Sequence, residues 1–92
     1  HQSCVRALYH LTKTLDTTRP CIGNDGWEAT ATDIIGIHDY DDQPERILKK
    51  YSFSGNPDEV FKKYRPAGRL ITVDGYVNRE QPVMLTEFGG IK

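Results

Sequence analysis

The chain has 92 residues, which suffices for one small domain with a modest core. It is 37% hydrophobic and 27% charged, as ordinary globular proteins are, and its formal net charge is −1. We therefore expect no nucleic-acid partner and no membrane partner, because no basic cluster creates a field for either. No apolar run approaches the roughly 20 residues of a membrane span. Cys4 and Cys21 are too few for a disulfide framework and are expected to be free thiols.

The first part of the chain predicts one helix and two strands. Apolar residues recur at three-to-four spacing across residues 3–15, which is typical of a helix, and Pro20 then favours extended backbone. Residues 21–23 predict a short strand. Residues 32–39 predict a second one, and its continuous apolar stretch is typical of a parallel strand that is buried on both faces.

The second part predicts two helices followed by two strands. One helix covers residues 44–51, because proline suits a first turn, and the other runs from Pro57 to about Tyr64 behind an Asn56 N-cap. Strands are predicted at 70–74 and 82–86. Helices that separate apolar strands indicate an α/β fold with a mainly parallel sheet.

So few parallel strands do not cover both faces of their own sheet. We therefore interpret residues 1–92 as a single segment of a larger α/β fold, with the (β/α)₈ TIM barrel as the natural parent.

Polar and aromatic residues follow three of the predicted strands. The first strand is followed by the sequence NDGW, the second ends in HDY, and the last ends in TEFGG. Chemistry in a parallel barrel lies at the carboxyl ends of the strands. The pattern therefore predicts a polar pocket with aromatic walls, which is what a sugar site requires: carboxylates for chemistry, hydrogen bonds for hydroxyls and rings for stacking.

The tail PVMLTEFGG, with NDGW and IHDY upstream, resembles the catalytic barrel of glycoside hydrolase family 2. That family includes β-galactosidases, β-glucuronidases and β-mannosidases. The segment VRALYHLTKTLDTTRP is similar to the helix that follows the family's acid/base strand. The resemblance covers essentially the whole chain, and it corresponds to the fourth helix of the barrel through its seventh strand.

The resemblance implies a retaining β-glycosidase, in which two carboxyl groups lie about 5–5.5 Å apart. It implies that Glu87 is the nucleophile, that the partner is a β-glycoside substrate, and that no cofactor and no metal take part. It also implies that a hydroxyl on the neighbouring strand orients the Glu87 carboxylate. The implied substrate-binding residues are Asn24, Asp25, Trp27, His38 and Tyr40.

One part of the family's pattern is absent. The family's acid/base glutamate belongs to an Asn-Glu pair that would precede this chain, and no Asn-Glu dipeptide occurs here. We therefore expect the isolated chain not to hydrolyse glycosides. We also expect it to self-associate, because apolar strand residues such as 34–37 and 83–85 would have open edges and faces. The sequence does not predict which sugar the substrate contains, and the compartment is expected to be cytoplasmic or periplasmic.

Simpler interpretations stand beside these. Glu87 can be a polar strand end, His38 a structural histidine, Trp27 a core residue and Asp25 a turn residue. The cluster at 38–42 invites a metal, but helix capping explains its acids more simply, and Pro44 stands where an EF-hand loop needs glycine. For the whole chain, the alternatives are a non-catalytic carbohydrate-binding or interaction module and a truncated piece without function.

Overall fold

A computed structural model describes residues 1–23, 26–76 and 78–90. The elements are α1 (Gln2–Leu15), β1 (Ile35–Asp39), α2 (Pro44–Tyr51), α3 (Pro57–Lys63), a 3₁₀ turn (Pro66–Gly68) and β2 (Val83–Phe88). β1 and β2 pair in parallel, and the chain segment between them carries α2 and α3. The predicted mixed α/β class with parallel strands is therefore confirmed. No helix in the described ranges has the length and apolar content to traverse a bilayer.

The two middle helices begin where local signals predict. α2 has the predicted bounds, and its cap position is Gln43, whose backbone N–H donates to Asp41. α3 follows Asn56, whose side chain accepts a hydrogen bond from the Asp58 N–H at 2.9 Å. Both helices have proline in the first turn, but only α3 has a side-chain cap, so the expected capping of α2 by Asp41 or Asp42 is not found.

The strand predicted at residues 21–23 is wrong, because side chains take up the backbone groups there. The Cys21 N–H donates to Asp33 Oδ2 at 2.8 Å, and the Gly23 N–H donates to Thr32 Oγ1 at 3.2 Å. These contacts also keep residues 32–34 out of β1, which begins only at Ile35. Cys21, like Cys4, is a free thiol, as expected.

The strand predicted at residues 70–74 is reduced to one isolated parallel bridge between Thr72 and Ala29. Neighbouring bonds extend this contact: Glu28 N donates to Leu70 O at 2.7 Å and Ala29 N donates to Ile71 O at 2.9 Å. The contact therefore ties residues 28–29, directly after Trp27, to the body of the fold.

The core lies on one face of the β1–β2 pair. It is built from two strand residues, two residues of α3 and one residue of the 70–73 segment: Ile35, Ile37, Val60, Phe61 and Ile71. Tyr51, Tyr64, Val83 and Leu85 pack at its edge. α3 therefore contributes its only two buried side chains to the cover over the sheet.

A polar contact holds α1 against the segment that precedes β1. The Tyr9 hydroxyl donates to Asp33 Oδ1 at 2.5 Å, and Lys13 Nζ lies 3.0 Å from Asp33 Oδ2. The hydrogen bond to Asp33 is the main cause that raises the pKa of Tyr9 to about 12. The same bond is the main reason that the pKa of Asp33 lies below its ordinary value, against the effect of burial.

The apolar side chains that are exposed, and that could support the expected self-association, are mostly not those of β1. Ile35 and Ile37 are buried, so β1 does not offer the open apolar face that was anticipated. The large exposed apolar side chains lie instead mainly on α1 and around the end of β2, and they include Leu8, Leu11, Leu15, Leu48 and Phe88. Self-association stays a prediction, and a single monomeric mass by light scattering at high micromolar concentration would contradict it.

Candidate functional site

Glu87 lies at the carboxyl end of the strand pair, beside two residues of the neighbouring chain segment. The Tyr40 hydroxyl donates a hydrogen bond to Glu87 Oε2, and His38 Nε2 lies 3.5 Å from Glu87 Oε1. His38 belongs to β1 and Tyr40 follows it directly. One carboxylate oxygen of Glu87 therefore accepts a hydrogen bond from Tyr40, and the other faces His38.

A β-bulge determines which face of the sheet carries Glu87. Ile37 pairs with Leu85, but the next residue, His38, pairs with Glu87, so Thr86 is the extra residue on β2. In an unbroken register, side chains alternate between faces, and Glu87 would share the core face with Leu85. The bulge instead places Glu87 on the face of His38, opposite the core.

Trp27 completes the wall of the site. Its ring lies 5.1 Å from the His38 ring, centroid to centroid, at an interplanar angle of 75°, which is an edge-to-face contact. The centroid of the Tyr40 ring lies 6.1 Å from the centroid of the His38 ring. The Trp27 and Tyr40 rings therefore flank the nearly buried imidazole, while half of the Glu87 side chain, 51%, stays exposed to solvent.

The backbone at Gly26 allows this packing. Gly26 has a φ of +93°, and a Cβ atom built there would overlap the His38 ring. The His38 N–H donates to Gly26 O at 3.0 Å. Glycine is thus required at this position both by the backbone angle and by the space that the imidazole occupies.

Arg69, which the sequence did not single out, packs against Trp27. The Arg69 guanidinium lies 5.1 Å from the Trp27 ring centroid, which is a cation–π geometry, and its Nη2 atom donates to Glu28 Oε2 at 2.8 Å. Arg69 follows the 3₁₀ turn, 41 positions from Glu28. No local sequence pattern connects residues so distant along the chain.

The site residues expected from the sequence are therefore partly assembled. Glu87, Tyr40, His38 and Trp27 lie together, whereas Asn24 and Asp25 lie outside the described residues. Trp27 is not a member of the core cluster, and His38 is both packed and within reach of Glu87. The last strand is longer than predicted and ends at Phe88, so Glu87 is its penultimate residue rather than the residue after it.

The acids of the 38–42 cluster are engaged by side chains of α2. Lys50 Nζ lies 2.9 Å from Asp39 Oδ2 and 3.0 Å from Asp41 Oδ2. Arg46 contacts Asp41 at 2.7 Å. Among the residues whose positions are described, no three His, Cys, Asp or Glu side chains are grouped as metal ligands.

Glu87 does not line either of two cavities of the fold. One, of about 630 Å³, lies between α1 and residues 29–33, and the residues that line it include Tyr9 and Asp33. The other, of about 590 Å³, is a mostly apolar groove between α2 and the end of β2, lined by Leu48 and Phe88. The candidate site, by contrast, lies on the surface at the end of the sheet, where Glu87 is half exposed and His38 is nearly buried.

The arrangement around Glu87 suits nucleophilic chemistry by a carboxylate. A carboxylate that is oriented by a hydroxyl donor, accessible on one side and placed on a strand presents an oxygen in one direction. The aromatic edges beside it suit the apolar face of a sugar ring. Comparison with known proteins adds nothing further, because no family model, no curated protein and no solved structure matches the chain.

Proposed function

We propose that the chain is part of a retaining β-glycosidase with a (β/α)₈ barrel, in which Glu87 is the nucleophile. The observation that carries the proposal is the pair of contacts that Tyr40 and His38 make to the two oxygens of the Glu87 carboxylate. A retaining nucleophile has to be oriented and open to the sugar on one side, and Glu87 satisfies both requirements.

The chemistry proceeds in two displacements. A Glu87 carboxylate oxygen attacks the anomeric carbon, the bond from that carbon to the glycosidic oxygen breaks, and a glycosyl ester forms on Glu87. Water then attacks the same carbon, the bond from that carbon to Glu87 breaks, and the proton that the water loses returns to the acid/base residue of the parent protein. Tyr40 donates to the oxygen Oε2, so Oε1 is the oxygen on the side of His38 and the more suitable attacking atom. The acid that protonates the leaving group comes from the parent protein outside this chain.

Trp27 and Tyr40 provide the binding surface for the sugar in this proposal. The Trp27 ring is fixed between His38 and Arg69, so its position does not have to be ordered when the substrate binds. The substrate class is a β-linked glycoside, and no cofactor takes part.

A trapping experiment on the full-length parent protein tests the nucleophile. An aryl 2-deoxy-2-fluoro-β-glycoside forms the glycosyl ester but slows its hydrolysis, so the label stays on the attacking residue. We expect the mass increase on the peptide that contains Glu87 and no label on a Glu87→Gln variant. A Glu45→Gln variant, altered at an exposed helix acid, is the matched control and should label normally.

A label on another carboxylate, or normal turnover by Glu87→Gln, would refute the assignment. The isolated 92-residue chain is expected not to turn over aryl β-glycosides, and turnover that depends on Glu87 would contradict that expectation.

The alternative is a non-catalytic carbohydrate-binding module. The observation that favours it is the aromatic wall that Trp27 and Tyr40 form beside His38, because such rings suit stacking on a sugar. Trp27 is the only tryptophan, so its fluorescence reports sugar binding directly. Under this alternative, Glu87→Gln binds sugar as the wild type does and the parent protein shows no turnover.

A further inference from the structure

Lys50 ties together the two residues that flank Tyr40. Its Nζ atom lies 2.9 Å from Asp39 Oδ2 and 3.0 Å from Asp41 Oδ2. The side chains are largely shielded from solvent, at 21% exposure for Lys50, 5% for Asp39 and 13% for Asp41. One ammonium group therefore closes a bridge across the backbone on both sides of Tyr40.

Other bonds fix the bridge to the fold. The Tyr51 hydroxyl donates to Asp39 Oδ2 at 2.7 Å, and the Asp41 N–H donates to Asp39 Oδ1 at 3.1 Å. Arg46 Nε donates to Asp41 Oδ1 at 2.8 Å. Lys50, Arg46 and Tyr51 all belong to α2, so the turn between β1 and α2 is fastened to the helix that follows it.

The charges of the bridge are mutually stabilised. Burial acts to raise the pKa of Asp39, but hydrogen bonds from Lys50 and Tyr51 outweigh it and keep that pKa below the ordinary value. Burial acts to lower the pKa of Lys50, but its bonds to Asp39 and Asp41 outweigh it and raise the pKa. The bridge is therefore ionised across the neutral pH range.

The side chains of Asp39 and Tyr40 point to opposite faces of the sheet. Asp39 is buried on the α2 side, whereas the Tyr40 hydroxyl reaches Glu87 on the other side. Tyr40 follows the last residue of β1 and stands between Asp39 and Asp41. The bridge therefore fixes the backbone on both sides of Tyr40, and with it the direction of the Tyr40 side chain.

We propose that Lys50 is the positioning residue of the candidate site. By binding Asp39 and Asp41 at once, it holds the turn in the conformation that delivers the Tyr40 hydroxyl to Glu87. The geometric part of this inference stands independently of the glycosidase proposal, and only its catalytic consequence rests on that proposal.

The test is a nuclear Overhauser measurement on the 92-residue chain. In the wild type we expect a contact between the Tyr40 ring protons and the Glu87 side-chain protons. Lys50→Met should abolish this contact and increase the backbone mobility of Tyr40. Lys49→Met is the matched control, because Lys49 is the preceding residue of α2 and is exposed, and it should leave the contact intact.

A second variant guards against loss of the fold. Asp41→Asn leaves the bonds from Lys50 and Tyr51 to the buried Asp39 in place, and it weakens the Asp41 side of the bridge, where Lys50 and Arg46 both bind the carboxylate. We expect it to weaken the Tyr40–Glu87 contact in a chain that stays folded. An unchanged contact and an ordered Tyr40 in either folded variant would overturn the inference.

Kinetic and trapping experiments on the parent protein distinguish a failure of the Lys50 proposal from a failure of the proposed function. If Glu87 is the nucleophile, Lys50→Met lowers kcat at least tenfold with a smaller change in KM, and Lys50→Arg restores part of the rate. If trapping shows no label on Glu87, the proposed function fails, yet the loss or persistence of the Tyr40–Glu87 contact still decides the role of Lys50.

Discussion

The Tyr40 hydroxyl donates a hydrogen bond to Glu87 across 47 positions of sequence. The bond joins the turn after β1 to the penultimate residue of β2, the two strands of the parallel pair. It places a donor against one carboxylate oxygen and leaves half of the Glu87 side chain open to solvent. The candidate site depends on this relationship and on the residues that maintain it.

Gly26→Ala should unfold the chain at lower urea than the wild type and disturb His38. An alanine at φ +93° is strained, and its methyl group would overlap the His38 ring. Strain at a positive φ costs about 1–2 kcal/mol, and forcing a packed ring aside costs about 1–3 kcal/mol more. Urea unfolding followed by circular dichroism measures the sum.

Gly55→Ala is the control for that variant. Gly55 also has a positive φ, +115°, but nothing lies within 4 Å of the position of its Cβ atom. It should show the strain alone, about 1–2 kcal/mol. Equal losses for the two variants would contradict the packing role of Gly26.

Phe61→Ala should be the more damaging of two matched phenylalanine substitutions. Phe61 is 2% exposed in the core cluster, whereas Phe53 is 41% exposed in a loop. Truncating a buried phenylalanine costs about 3–5 kcal/mol, which is a large part of the stability of a small domain. Phe53→Ala should cost less than about 1 kcal/mol. Thermal and urea melts compare them, and similar midpoints would contradict the assigned core.

Alkaline pH should weaken the contact between α1 and the Asp33 segment. The folded pKa of Tyr9 is raised to about 12, above the value of about 10 for a free tyrosine. A raised folded pKa stabilises the fold while the group is protonated, so this contribution is complete below the unfolded pKa. It is lost as pH rises from about 10 towards 12.

The comparison of Tyr9→Phe with the wild type isolates this effect. Urea midpoints measured at neutral pH and through the alkaline range should fall less steeply for the variant, because it has no Tyr9 proton to lose. Burial and a bond to Asp39 also raise the pKa of Tyr51, so part of the slope remains. An identical slope in variant and wild type would disprove the Tyr9 contribution.

Arg69→Met should loosen the Trp27 ring. The substitution removes the cation–π contact and the pair with Glu28, worth about 0.5–1 kcal/mol at an exposed site. Acrylamide should then quench the fluorescence of Trp27, the only tryptophan, more strongly. Arg65→Met, at an exposed position near the same turn, should leave quenching unchanged. Equal quenching in all three proteins would refute the role of Arg69.

Local sequence signals predict the elements whose hydrogen bonds are local. α2 begins at Pro44 and α3 at Pro57, since proline, and for α3 the Asn56 cap, act within one turn. The strands predicted at 32–39 and 82–86 overlap β1 and β2, although β1 begins three residues later and β2 ends two residues later than predicted. The strands predicted at 21–23 and 70–74 fail because their hydrogen bonds are not local. Their backbone groups bond to side chains or to a single bridge from distant segments.

The sequence by itself determined which residues carry the candidate chemistry: a carboxylate near the end of the last strand, and a histidine and a tyrosine at the end of an earlier one. Only the tertiary structure decided that they share a face. Strict alternation would turn Glu87 towards the core with Leu85, and the bulge at Thr86 reverses it towards His38. Register depends on the pairing of two strands separated by more than forty residues, and no local pattern encodes it.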